Sequence, residues 1–285
     1  MKPILCLAAA MTCLAASPAF AQQDRQSAQI DPAELNRDTV TVALGAAVAP
    51  RYEGSKDYRV VPGAIVRGRV SGINFSTEGL RLYADVVADK GAGPGWDLML
   101  GPVAGLNLTR TGNPGDRRVD ALGRRKAALE VGGYAGIGRT GVITSDYDRL
   151  SFSVTYVTDV TGIHNSDLIS PEINYSTPLS RSAYVGLSLS AERVGQGYAD
   201  TYFSVTPAGA AASGLPAYRA RKGWKSWSLA GFAAKSLTGD LTHGLAVVAG
   251  GGYKRMLNDF ADTPIVSVAG SRNQWFGALG LAYTF

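Results

Sequence analysis

Acid–base chemistry in this chain would have to begin at two histidines, His164 and His243, because it has no others. A lipase, deacylase or protease site sets a histidine against a nucleophile or activated water and a carboxylate. His164 is followed by Asn165, Ser166 and Asp167, but neighbours along a strand or loop do not converge by adjacency, and loop polarity accounts for them. His243 falls on an apolar face beside the turn Thr238-Gly239-Asp240. The string Gly132-Gly133-Tyr134-Ala135-Gly136-Ile137-Gly138 is similar in composition to a phosphate-binding glycine loop, yet no strand–loop–helix context surrounds it. The expectation is a non-enzymatic protein with no catalytic residue, cofactor or metal site.

Charge is the other chemistry on offer. Arg117, Arg118, Arg124, Arg125 and Lys126 cluster in one segment, and Arg219, Arg221, Lys222 and Lys225 in another. Cationic loops at a lipopolysaccharide surface bind its phosphates through charge-assisted hydrogen bonds; solvated loop charge is the plainer alternative. A formal charge of +5 also raises nucleic acid as a partner, but no recognition module appears and none is expected.

These residues need elements to hold them, and the amino terminus says where those elements work. Lys2 precedes an apolar run from Ile4 to Ala16, followed by Ser17-Pro18 and the triplet Ala19-Phe20-Ala21. That is the pattern of a secretory signal peptide cleaved after Ala21, and the run is short of the 20 or so apolar residues of a membrane anchor. Both cysteines, Cys6 and Cys13, lie inside it, so the mature chain would use no thiolate and form no disulfide. Residues 22–38 are polar and read as a flexible periplasmic leader.

From Thr39 to Phe285 the hydrophobic period is two. Val40, Val42, Leu44, Ala46 and Val48 oppose Thr41, Ala43, Gly45 and Ala47; at the carboxyl end Trp275, Leu279, Leu281, Tyr283 and Phe285 oppose Gln274, Ala278, Gly280, Ala282 and Thr284, with Phe276 the exception. One face is bulky and apolar, the other small or polar. The segments run about 10 to 14 residues, which suits tilted strands crossing a bilayer better than strands of a soluble sandwich. Aromatic residues near segment ends fit interfacial girdles. Glycine, 35 of 285 residues against roughly 7% in average proteins, disfavours helices and suits the inner face of a narrow, curved barrel. Lipid demands closure, because an open sheet edge leaves backbone groups unbonded.

The expected fold is therefore all-β: a transmembrane antiparallel β-barrel over 39–285 in the bacterial outer membrane, in contact with its lipid and lipopolysaccharide. Short connections fall at Pro178–Ser182 and Leu237–Asp240, and longer ones at 109–126, 195–225 and 257–272. Short turns are periplasmic and long loops extracellular in such barrels. Keeping that alternation requires three strands between Tyr58 and Ala88, which makes twelve in all, with ten as the alternative. Arg67, Arg69, Arg81, Asp85, Glu130, Asp159, Glu172 and Glu192 then face inward, as a mutually paired plug or as the lining of a narrow pore.

Several local strings resemble a known family. Pro50-Arg51-Tyr52-Glu53-Gly54-Ser55, Val61-Pro62, Tyr202-Phe203-Ser204-Val205-Thr206, Ser213-Gly214-Leu215-Pro216-Ala217-Tyr218 with Gly223, Asp262-Thr263-Pro264-Ile265-Val266 and Gly270-Ser271 are similar to strings of the MipA/OmpV family. Ser204 stands where the family's string has glycine. The resemblance spans the mature chain and implies an outer-membrane protein that interacts with the lytic transglycosylase MltA and links it to a peptidoglycan synthase. Other members look like adhesins, or like envelope-stress and antibiotic-response proteins, and a porin-like permeability channel is the alternative. The ending Leu279, Leu281, Tyr283, Phe285 resembles the signal read by the barrel-assembly machinery.

Overall fold

The computed structural model describes residues 38–87 and 93–285. The expected signal peptide, its cleavage site and all of the leader but Asp38 lie outside the described residues.

Twelve antiparallel strands close into a barrel in simple up-and-down order. They are β1 Thr39–Pro50, β2 Tyr58–Val70, β3 Ile73–Glu78, β4 Arg81–Asp85, β5 Gly95–Asn107 and β6 Ala128–Thr140, then β7 Arg149–Asp159, β8 Asp167–Ser180, β9 Ala183–Val194, β10 Gly223–Ser236, β11 Gly244–Met256 and β12 Asn273–Thr284. The three strands required between Tyr58 and Ala88 are β2, β3 and β4. Closure is made by β1 against β12, in the register Val42↔Tyr283, Leu44↔Leu281 and Ala46↔Leu279. Thr41 and Thr284 share a hydroxyl hydrogen bond of 2.8 Å across this seam. The seam also explains its glycines: a Cβ on Gly45 would sit 2.2 Å from the carbonyl oxygen of Leu279.

The alternation in sequence becomes inside and outside. Leu44, Leu98, Leu100, Leu279 and Leu281 point outward and are more than half exposed, whereas Ala43, Ala246 and Ala282 are buried on the inner face. An exposed apolar band of this kind is stable only against lipid. The glycine string of β6 is strand, with Gly132, Glu130 and Gly136 on the inner register; a Cβ on Gly132 would meet the carbonyl oxygen of Tyr156 at 1.9 Å.

Both described ends and the short turns Ser71-Gly72 and Arg181-Ser182 lie at one rim, the periplasmic one by the loop-length rule. At the other rim the long connections are folded. They carry five short helices: α1 Arg117–Ala121, α2 Gln196–Tyr202, α3 Pro207–Ser213, α4 Asn258–Asp262 and α5 Pro264–Ser267. Local sequence sets several of their ends. Asp116 caps α1 by accepting the Arg118 N–H; Thr206 caps α3 by accepting from Gly209, with Pro207 at its first position and left-handed Gly214 at its end.

Candidate functional site

The folded loops pack into a lid with its own core across the extracellular mouth. Tyr198, Tyr202, Phe203, Phe260 and Val266 form one buried cluster with Val103, Val157 and Val194 of the barrel, and Tyr52, Val119, Val205, Leu215 and Ile265 form another. Phe203 meets Phe260 edge to face at a centroid distance of 5.1 Å, and Tyr198 lies 4.7 Å from Tyr202. The Thr263 hydroxyl donates to the Phe203 carbonyl at 2.6 Å. Val205 and Tyr218 exchange backbone hydrogen bonds. Arg110, in a left-handed backbone conformation, donates to the carbonyls of Tyr202 and Gly123. Burial lowers its guanidinium pKa to about 10, with Arg125 adding to the effect.

The strings set apart in the sequence meet in this lid. Tyr52 is buried in the second cluster, and burial, with Asp116 and Asp57 close by, raises its phenol pKa. Gly54 takes a positive φ, and a Cβ on Gly270 would sit 1.9 Å from its carbonyl oxygen. One loop between β1 and β2 is thereby locked to the loop before β12.

Directly beneath lies a chain of charges. Lys225 Nζ contacts Glu192 Oε2 at 2.6 Å and Glu53 Oε1 at 2.8 Å, and Lys254 reaches Glu53 at 3.3 Å. Tyr198 donates its hydroxyl to Glu53 at 3.0 Å, while its ring lies 4.6 Å from the Lys225 ammonium. Arg81 bonds Glu130 at 2.9 Å and approaches Glu192 at 3.7 Å. Asn107 donates to Glu130, and His164 Nε2 stands 3.4 Å from it. Burial opposes ionisation of Glu53, but Lys225 and then Lys254 outweigh it and hold the carboxyl below its ordinary value.

The expected site residues divide. Of the inward charges, Arg81, Glu130 and Glu192 belong to this network. Asp85 instead accepts the N–H groups of Val87 and Leu100, and Asp159 accepts those of Thr161, His164 and Asn165, shaping the β7–β8 loop. Glu172 lines a lumen cavity; Arg67 and Arg69 lie on β2 opposite Ser76 and Asn74. Leu279, Leu281, Tyr283 and Phe285 are exposed on the outer face.

Two expectations are corrected. Lys225, expected in a surface loop, is 1% exposed. It occupies a bulge in β10, where pairing with β9 slips between Trp224 and Ser226, so Lys225 and Ser226 both turn inward. His164, read as part of a polar loop, is buried against the rings of Tyr198 and Tyr202. The other loop cations remain at the surface, several in pairs: Arg118 with Asp116, Arg124 with Asp120, Arg219 with Asp200 and Arg221 with Asp259. Arg125 donates to the Thr201 carbonyl, and Arg117 and Lys126 are exposed. Glu53, Tyr198 and Lys254 were not legible as partners, because each lies in a different loop or strand.

No curated protein sequence matches the chain. Among solved structures, an outer-membrane channel from Pseudomonas putida F1 is similar with a TM-score of 0.42 at 12% identity, over 90% of this chain and 100% of that one. The outer-membrane-expressed OmpT of Vibrio cholerae has a TM-score of 0.36 at 8% identity, over 90% and 99%. The family model described as MltA-interacting protein MipA matches residues 42–285. With that match running from the first strand through the lid to the last residue, the chain belongs to the MipA family and is an outer-membrane β-barrel protein.

Proposed function

We propose that this barrel is a non-enzymatic scaffold that anchors or organises peptidoglycan-remodelling enzymes, such as a lytic transglycosylase and a peptidoglycan synthase, at the outer membrane. The observation that carries this reading is the closed mouth: a lid with a packed core sits over a chain of paired charges. A porin would need an open, hydrated path there. A fixed barrel instead offers a rigid anchor, with its periplasmic turns and the leader 22–38 as the docking surface. The family's description as MltA-interacting supports the same class of partner.

Capture of a lytic transglycosylase from solubilised envelopes by the full chain tests this. Enrichment that disappears when the turns and leader are replaced is the expected result; no enrichment, or enrichment indifferent to those replacements, overturns it. The alternative, a permeability channel, predicts stable conductance in planar bilayers, where the scaffold predicts none.

A further inference from the structure

The barrel wall has a notch in its extracellular half. β2 pairs with β1 along its whole length, from Thr39↔Arg69 to Pro50↔Tyr58. On its other edge β3 pairs only from Val70↔Ile73 to Arg67↔Ser76, because the β3–β4 hairpin turns back at Gly79-Leu80. Among the described residues, Tyr58–Ile65 has no strand on that side.

The edge is built to stay unpaired. The Val66 N–H donates to Thr77 Oγ1 at 2.9 Å, and that hydroxyl donates back to the Val66 carbonyl at 3.3 Å. A side chain thus finishes the ladder where the strand stops. Backbone direction alternates along a strand, so Val60, Pro62 and Ala64 also turn toward the gap. Proline at the middle position removes an N–H that lipid would leave unbonded, and removes the donor that an added strand would need. The gap is open from both faces: outward Val60 is 70% exposed and inward Ile65 49%. A Cβ on Gly63 would meet nothing within 4 Å.

A lumen cavity of about 180 Å³ reaches the hairpin tip, Glu78 and Arg81, that borders the notch. Glu78, at the tip of the short hairpin, both lines it and is exposed. The far wall supplies the hydroxyls of Thr155, Ser170, Ser190 and Ser228. Carboxylates and cations line the same space, Glu78 and Glu172 with Arg81 and Lys254, and Tyr83 lines it too. Arg81 and Lys254 are already taken up by Glu130, Glu192 and Glu53, which leaves little for an anionic head, while the wall hydroxyls and the Glu78 and Glu172 carboxylates supply donors and acceptors to the hydroxyls of a sugar. With the lid above the mouth, the hairpin tip at Glu78 is where the notch and the cavity adjoin.

We propose that the notch is a lateral portal for a single-chain glycolipid-type amphiphile, whose hexose-sized uncharged head enters the cavity while its alkyl chain stays in the gap beside Val60, Pro62 and Ala64. This goes beyond the scaffold reading and does not depend on it.

The test uses the full chain in lipid nanodiscs and an octyl glucoside carrying a diazirine on the sugar, with labelled peptides mapped by mass spectrometry. Labels are expected on Glu78 and Glu172. Gly63→Trp, which fills the gap from inside, should lower that labelling about tenfold or more by closing access. Ala64→Trp, pointing to lipid, should lower it far less. If Gly63→Trp does not fold, Ser228→Leu narrows the cavity from the opposite wall and should give the same loss. Labelling confined to outward residues, labelling unchanged in the filled variants, or equal labelling by diazirine-glucose lacking the chain overturns the proposal. So does a dimer joined through β2, which would show the edge to be a pairing surface.

Discussion

The Lys225 ammonium and the Glu192 carboxylate, 2.6 Å apart on neighbouring strands, are joined only because β10 bulges at Lys225. In regular alternation Lys225 would share the outward register of Trp227. The extra residue turns it under the lid, where Glu53 completes the pair.

Removing Lys225 strands two carboxylates in a buried site, which costs about 3–5 kcal/mol when one partner of a buried pair is lost. Lys225→Met should lower the urea midpoint of the folded barrel accordingly, read by heat-modifiable gel mobility. Adding Glu53→Gln and Glu192→Gln should recover much of the loss. Recovery fails if the lysine matters for its packing rather than its charge.

The lid should open before the barrel does. Phe203→Ala removes a ring packed between Tyr198 and Phe260, a class of change that costs about 3–5 kcal/mol. Limited proteolysis should then cut within 195–222 while the strands stay resistant. Uniform loss of the whole barrel would show that lid and wall unfold as one unit.

Asp148 anchors the periplasmic β6–β7 turn by accepting the N–H groups of Val142, Ile143 and Thr144 at 2.6, 2.8 and 2.6 Å, with the Tyr175 hydroxyl at 3.0 Å. Burial opposes its ionisation, but these donors outweigh it and hold its pKa well below the ordinary carboxyl value. The stability it confers is present above that ordinary value, about 3.9, and is lost as pH falls toward the depressed one. Unfolding midpoints from about pH 5 down to pH 2 should slope downward in the native chain and be flatter in Asp148→Asn. Parallel slopes would refute the assignment.

His164 packs between Tyr198 and Glu130 without an adjacent nucleophile in the network. His164→Gln should destabilise the lid, seen as faster proteolysis, and leave any hydrolytic activity of purified material on ester or glycan substrates unchanged. Selective loss of hydrolysis with the lid intact would argue for an enzyme.

The barrel was legible because its cause is local. A period of two, sustained over segments such as Thr39–Ala49 and Asn273–Phe285, places every second side chain in lipid whatever its neighbours are, and parity of the connections then leads to twelve strands. The lid was legible only as loops. Its helices are four to seven residues long, too short to show a hydrophobic period, and they hold their shape through contacts among four loops.

Fold class and the two faces of each strand follow from the sequence alone, because alternation and lipid act residue by residue. Tertiary structure alone decided which charges meet, that Lys225 and His164 are buried, and that β2 faces a gap. Each of these depends on a register slip, a loop closing over the mouth or a hairpin turning back early. Those are relations between distant segments, and no spacing within one segment encodes them.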